Sequence, residues 1–190
     1  MGRANAASMT AHFIDVGQGA ATLLEFSCGA VLIDAGGEFT GDRNFYSSRL
    51  LRTYLEQFFQ DRPDLDKTLD LVVLSHPHKD HTRGVSELLN EHSREDQPYT
   101  ILNVIDNAQN QGSGIDEQKR LRGWAKANAT YLGIKATSVT GSGLTNSVID
   151  PVACGDVNPK IRVLWGSVSS KPSGWTAAGL NSENNHSVLV

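Results

Sequence analysis

Residues 75 to 84 read Ser-His-Pro-His-Lys-Asp-His-Thr-Arg-Gly, so that three imidazoles and one carboxylate, His76, His78, Asp80 and His81, fall within six positions. In a chain with 6 His among 190 residues, such a run arises by chance about 4 times in 10,000 sequences of this composition, which makes a merely solvated loop the weaker explanation. Imidazole and carboxylate suit Zn, Fe, Mn or Co. In an extended stretch, residues two apart project to one side, so His76 and His78 are placed to share a metal. Asp80 and His81 follow once the chain turns, and face a neighbouring position. Two adjacent metals would acidify a bridging water and clamp the attacking and leaving oxygens of a hydrolysis. Asp80 would both ligate and orient that water, which makes it the candidate catalytic residue. Lys79 and Arg83 flank the donors with positive charge, read equally as phosphodiester-attracting or simply solvated.

Elements on either side must aim these groups. Leu69 to Leu74, LDLVVL, is a short apolar, partly β-branched run that predicts a strand covered on both faces, with His76 just past its carboxyl end. Upstream, Ala11 to Leu24 holds two apolar runs around Gly17-Gln-Gly19, and Ala30 to Ile33 leads into Asp34-Ala-Gly-Gly37, which reads as consecutive strands with tight connections. Arg43 to Gln60 carries Tyr46, Leu50, Tyr54 and Phe58 at i, i+4 spacing and predicts an amphipathic helix whose aromatic stripe is core. Proline in Asp61-Arg-Pro-Asp64 ends it. Short helices are expected over 85–92 and 116–129, strands over 100–105 and 161–168, and loops over 137–160 and 169–185. Alternating helices and strands favour a layered α/β protein.

A length of 190 residues fits one domain, expected over 11–190 after a flexible N-terminus over 1–10. The net charge of -4 does not advertise nucleic acid. No run is long and apolar enough to span a bilayer, and the first ten residues lack the apolar core of a secretory signal, so a cytoplasmic location and no membrane contact are expected. Cys28 and Cys154 lie far apart and read as buried small residues without a nucleophile's surroundings. His12 opens a strand and His92 ends a helix, where a cation suits the dipole. Ser187-Val-Leu-Val190 reads as the opening of a strand, from which a C-terminally incomplete fold is expected.

His76-Pro-His-Lys-Asp-His81, preceded by a strand and by Leu32-Ile-Asp-Ala-Gly-Gly37, resembles the metallo-β-lactamase superfamily. His12-Phe-Ile-Asp-Val-Gly-Gln-Gly19 is similar to the soluble domain of bacterial competence DNA-uptake channel proteins, although Ala20 stands where those members carry an acidic residue and Arg83 where glycine is common. The resemblance implies a four-layer αββα sandwich with one or two metal ions, usually zinc with iron or manganese as alternatives, performing hydrolysis. It implies that His76 and His78 bind the first metal with His186, in Asn184-Asn-His-Ser-Val-Leu-Val190, as third ligand, and that Asp80 and His81 bind the second. Asp34 would orient the metal loop and Asp15 would hold the Gly17 turn, neither being catalytic; a simple turn-forming role for Asp15 is an equal reading. The family's bridging aspartate and last histidine would lie beyond Val190. The expected function is a metal-dependent hydrolase of small-molecule or nucleic-acid substrates, phosphodiesters before carboxylic esters, lactones or β-lactams. The alternative is a non-catalytic metal-binding fragment.

Overall fold

A computed structural model describes residues 9–37, 48–89, 99–155 and 158–190. Its centre is a six-stranded sheet in the order β1-β2-β3-β5-β7-β8, formed by β1 (Thr10–Phe13), β2 (Thr22–Glu25), β3 (Ala30–Ile33), β5 (Leu71–Leu74), β7 (Asn103–Asp106) and β8 (Thr130–Gly133). The first three strands pair antiparallel, and β3, β5, β7 and β8 pair parallel. The shortest strands, β4 (Thr68–Leu69) and β6 (Thr100–Ile101), form a separate parallel ladder. The carboxyl ends of the parallel strands share one edge, so Asp34, Ser75 and Asn107, each just past its strand, emerge side by side. That edge is where open α/β sheets assemble ligand sites.

Strand pleat explains why β3 and β5 read as unbroken apolar runs. Successive side chains face opposite sides. Leu32, Val72 and Leu74 enter the core beneath the helices, while Val31, Leu71 and Val73 enter the core on the reverse face. The helical side is covered by α1 (Ser48–Asp61), α3 (Val85–Leu88) and α4 (Ile115–Asn128), which bury Leu51, Leu55, Phe58, Leu88 and Leu121 there. The aromatic stripe of α1 is core, as its spacing predicts, with Phe58 against Phe59 and Phe59 against Tyr99. A short helix, α2 (Lys79–Thr82), carries the second half of the histidine motif, and α5 (Ala177–Leu180) lies in the last loop.

The reverse face is covered by residues from Ile134 onward, including Ile149, Val152, Val163 and Val188. The strand expected over 161–168 is present only as isolated bridges, Leu144 with Val163, Trp165 with Leu189 and Lys135 with Ser167. Gly, Ser, Asn and Pro crowd the flanking segments, so no long ladder forms there. The strand β8 was not foreseen, because Thr130-Tyr-Leu-Gly133 is short and follows directly on α4.

The two cysteines correct the sequence expectation. Cys28, exposed in the turn between β2 and β3, is disulfide-bonded to Cys154 across 126 positions, with Cα atoms 5.4 Å apart. Large separation hides such a pair, since nothing local marks two cysteines that only tertiary packing brings together. His12, which is the third residue of β1 and does not open it, meets Tyr54 Oη at 2.7 Å and Glu25 at 3.0 Å, a structural pairing. The N-terminal expectation for residues 1–8, Tyr46, and His92 with the end of its helix lie outside the described residues. Among the described residues, no helix is long and apolar enough to cross a membrane.

Candidate metal centre

The histidine loop leaves β5 at Leu74, and backbone bonds set its path. The Ala20 amide donates to Asp80 O at 2.9 Å, Gly36 N to Ala20 O at 2.8 Å, Ala35 N to His81 O at 2.9 Å, and Gly84 N to Ala35 O at 2.7 Å. The Gly17-Gln-Gly turn, the Asp34-Ala-Gly-Gly loop and α2 are thus three backbones in direct contact. A Cβ on Gly36 would run into the backbone of Asp80 and Ala20, and one on Gly19 would lie 2.6 Å from Asp80 O. These glycines are required by close approach, and that is what the motif encodes. Asp15 Oδ1 accepts the Gly17 N–H at 3.0 Å, with Gly17 at φ 73°, so Asp15 closes the turn.

Asp34 is 5% exposed and holds a left-handed backbone, φ 59°, a conformation Asp tolerates better than most residues. Its Oδ1 accepts the Ser75 N–H at 2.7 Å. Its Oδ2 accepts the Ser75 hydroxyl at 2.8 Å and His81 Nδ1–H at 2.7 Å. With Nδ1–H donated to Asp34, Nε2 is the His81 nitrogen left for a metal, and it lies 3.6 Å from Asp80 Oδ2.

His76, 5% exposed, has Nδ1 at 3.0 Å from Ser75 Oγ and 3.3 Å from Ser187 Oγ. Both hydroxyls spend their protons elsewhere, Ser75 on Asp34 and Ser187 on Asn184 O at 2.7 Å, so each is available to accept. The proton therefore sits on His76 Nδ1, and Nε2 points the other way and accepts from His78 Nδ1–H at 3.2 Å. Two nitrogens each roughly 2.0–2.1 Å from a tetrahedral zinc stand about 3.3 Å apart, which matches this spacing.

Electrostatics sort the histidines into two kinds. Burial, reinforced by the neighbouring His81, pushes His76 down to about 4, so it is neutral and a competent ligand at neutral pH. Burial also works against charge on His81, but the hydrogen bond and charge of Asp34, with Asp80, outweigh it and raise that group.

The donors come as two facing pairs, His76 Nε2 with His78 Nδ1 and Asp80 Oδ2 with His81 Nε2. The first pair matches a shared metal in spacing as well as donor type; the second, at 3.6 Å, matches in donor type. Among the described residues, no group of three His, Cys, Asp or Glu side chains closes around a single point. The metallo-beta-lactamase superfamily model matches residues 14–93. No curated protein matches the chain. The stretch matched by that superfamily runs from the end of β1 through the histidine loop, so it contains both pairs, Asp15 and Asp34, while His186 lies outside it.

The ring nitrogens of His186 bond other groups than the two pairs. The residue is 3% exposed, its Nε2 donates to Leu180 O at 2.6 Å, and its Nδ1 accepts Val168 N–H at 3.1 Å with Gln109 Nε2 at 3.3 Å. Both nitrogens are occupied, so here the ring is an anchor for its segment. Sequence reasoning also missed the loop after β7. Gly114 N donates to Pro77 O at 2.8 Å, Ser113 Oγ accepts Lys79 N–H at 3.2 Å, and Thr82 Oγ1 donates to His78 O at 3.0 Å, bracing the histidine loop. The glycines at 112 and 114 were the available signal, since a Cβ on either would collide with Pro77 or His78. Glu183, whose Oε2 lies 3.4 Å from His78 Nε2, carried no sequence signal at all.

Proposed function

We propose that the chain is a metal-dependent hydrolase using zinc, with phosphodiesters as its substrate class. The observation that carries this reading is the facing donor pair of His76 Nε2 and His78 Nδ1 at 3.2 Å, next to a second pair from Asp80 and His81 whose orientation Asp34 fixes. The superfamily match over residues 14–93 supports the same chemistry. Bound zinc supplies an acidified water and polarises the bond to be cut. His76 and His78 would hold one ion and Asp80 with His81 the other. Asp34 keeps the His81 proton on Nδ1, away from the donor side. The Asp80 carboxylate, 42% exposed, stands at the solvent-facing rim, where it accepts a proton from an entering water and keeps that water oriented. Lys79 beside it is exposed and positive, which suits an anionic phosphodiester, nucleic acid included, better than a neutral lactam. The resemblance of His12 to Gly19 to competence DNA-uptake proteins favours the same substrates, with Ala20 as the departure.

Metal content per chain, measured by plasma mass spectrometry on protein purified without chelator or affinity tag, tests the reading. One to two zinc ions are expected in the native chain, with loss in His78→Ala. Turnover of a chromogenic phosphodiester and not of a chromogenic cephalosporin tests the substrate class. A zinc-free chain after incubation with zinc would refute the metal centre, and cephalosporin turnover alone would replace the phosphodiester.

A further inference from the structure

Two of the three tryptophans stand together at the surface. Trp165, 37% exposed, and Trp175, half-buried, have ring centroids 6.4 Å apart and planes tilted by 42°. Neither belongs to the apolar cores on the two faces of the sheet, whereas Trp124 packs against the one beneath the helices. An indole left at the surface offers a wide flat apolar face, and tryptophan is enriched where proteins grip another molecule. The turn Glu183–His186 places this pair relative to the donors. Trp165 Nε1–H donates to Asn185 O at 3.2 Å, inside that turn. From the same turn Glu183 Oε2 reaches to 3.4 Å from His78 Nε2, and Ser187, the next residue, has its Oγ 3.3 Å from His76 Nδ1. Only the width of one turn separates the rings from the histidines.

Local bonds hold the second ring in place. Trp175 N–H donates to Pro172 O at 3.2 Å across Gly174, which takes φ 84°. Thr176 Oγ1 accepts Gly179 N–H at 3.0 Å and so caps α5, and Asn185 Nδ2 donates to Gly179 O at 2.9 Å, tying that helix to the turn. Lys171 is exposed on the same loop, as Lys79 is beside Asp80, so cations accompany the rings and the donors. A molecule that suits all three joins a phosphodiester to a flat aromatic group. We propose that Trp165 and Trp175 form a stacking platform for an unpaired base of a single-stranded nucleic acid whose phosphodiester lies at the His76–His78 pair. This rests on the phosphodiester reading above and adds recognition of the base. An unpaired base has its face free for an aromatic side chain, and such stacking tolerates any sequence because every base has a π-face.

Titration with a short oligothymidylate and with an abasic oligomer of equal length and charge tests this, read by tryptophan emission and by affinity, on zinc-incubated and on chelator-treated protein. The oligothymidylate is expected to quench emission and to bind about 5- to 100-fold more tightly than the abasic oligomer, the range that stacking one base contributes. Trp175 makes no side-chain hydrogen bond among the described residues, so its removal spares the fold. Trp175→Leu should lower the preference for the base-bearing oligomer by about 5-fold or more and leave abasic binding unchanged, while Trp175→Tyr, which keeps an aromatic face, retains most of the preference. Equal binding of the two oligomers by the native chain, or no binding of either, would overturn the proposal. So would a Trp175→Leu variant that weakens both oligomers alike, since that loss concerns the phosphate and not the base. A native dimer in sedimentation that Trp175→Leu dissociates, with no oligomer bound, would assign the rings to a second copy of the chain instead. If the protein holds no zinc and cleaves no phosphodiester, the hydrolase reading fails, and the preference for the base-bearing oligomer still decides whether the platform exists.

Discussion

Replacing Asp34 with Asn probes the whole centre through one buried group. Asn fits the left-handed backbone at φ 59° as well as Asp does, so the change is electrostatic and not steric. Three bonds end on the carboxylate, from Ser75 N–H, the Ser75 hydroxyl and His81 Nδ1–H. Bonds to a charged acceptor contribute roughly 1.5–3 kcal/mol each and neutral ones roughly 0.5–1.5. Removing the charge from all three therefore destabilises the fold by about 3 kcal/mol. The geometry predicts more than a loss of stability. The new amide nitrogen stands where Oδ2 stood and presents N–H to two former donors, so the Ser75 hydroxyl must rotate and His81 must move its proton to Nε2. That removes the lone pair paired with Asp80, while the Ser187 hydroxyl still accepts from His76 Nδ1–H at 3.3 Å and holds that tautomer. Urea unfolding gives the stability change, histidine NMR the tautomer, and mass spectrometry the zinc count, expected to fall toward one. A His81 that keeps its proton on Nδ1, with stability within about 1 kcal/mol of native, would refute the reasoning.

Acidification should weaken the metal-free fold through His76, which stays neutral in the folded chain down to about 4 while an unfolded histidine protonates near 6.5. The unfolded state binds the extra proton, so stability falls as pH drops from about 6.5 to about 4, by up to roughly 3 kcal/mol. His81 contributes with the opposite sign, fully below its unfolded value and lost as pH rises through its raised folded value. Urea midpoints against pH for the native chain and His76→Gln separate the two, and parallel curves would contradict the assignment. Gly36→Ala should lower the melting temperature and abolish metal uptake together, since its Cβ meets the backbone of Ala20 and Asp80; near-native values of both would show that the junction can relax. Reducing Cys28–Cys154 frees a loop of 126 positions, which chain entropy puts at about 5 kcal/mol, read as a denaturation midpoint with and without reductant.

How far the sequence was legible follows from where each interaction is encoded. The helix α1 was visible because its spacing reveals which face is covered, and β3 and β5 because a short unbroken apolar run marks a strand covered on both faces. The facing pairs were half visible: a His-x-His and an Asp-His after a strand announce donors, and the structure adds which nitrogen each one offers. Ser75 and Ser187 make that choice for His76 and Asp34 makes it for His81, and polar residues carry no mark of it until the chain folds. His186 shows the converse. Its position before Val188 suggested a ligand, while burial beside Leu180 O and Val168 N gives it structural bonds. The weakly ordered pattern of 161–168 has the same origin, since isolated bridges satisfy single residues without a period to read.

The disulfide also distinguishes the two ends of the sheet. Cys28 sits in the turn that precedes β3, at the amino end of that strand, whereas Asp34 and the donors gather past the carboxyl ends of β3 and β5. Arg62 reinforces the same far end, bonding Glu25, Phe26 O and Ser27 O. The sheet and the layer that covers its reverse face are thus joined covalently at the end remote from the donors, like pages bound along a spine. At the fore-edge the same layer is held by hydrogen bonds alone, Val188 N to Ser75 O and Ser187 Oγ to His76 Nδ1, so the covalent tie lies at one end of the sheet and the exchangeable ones at the other, beside the donors.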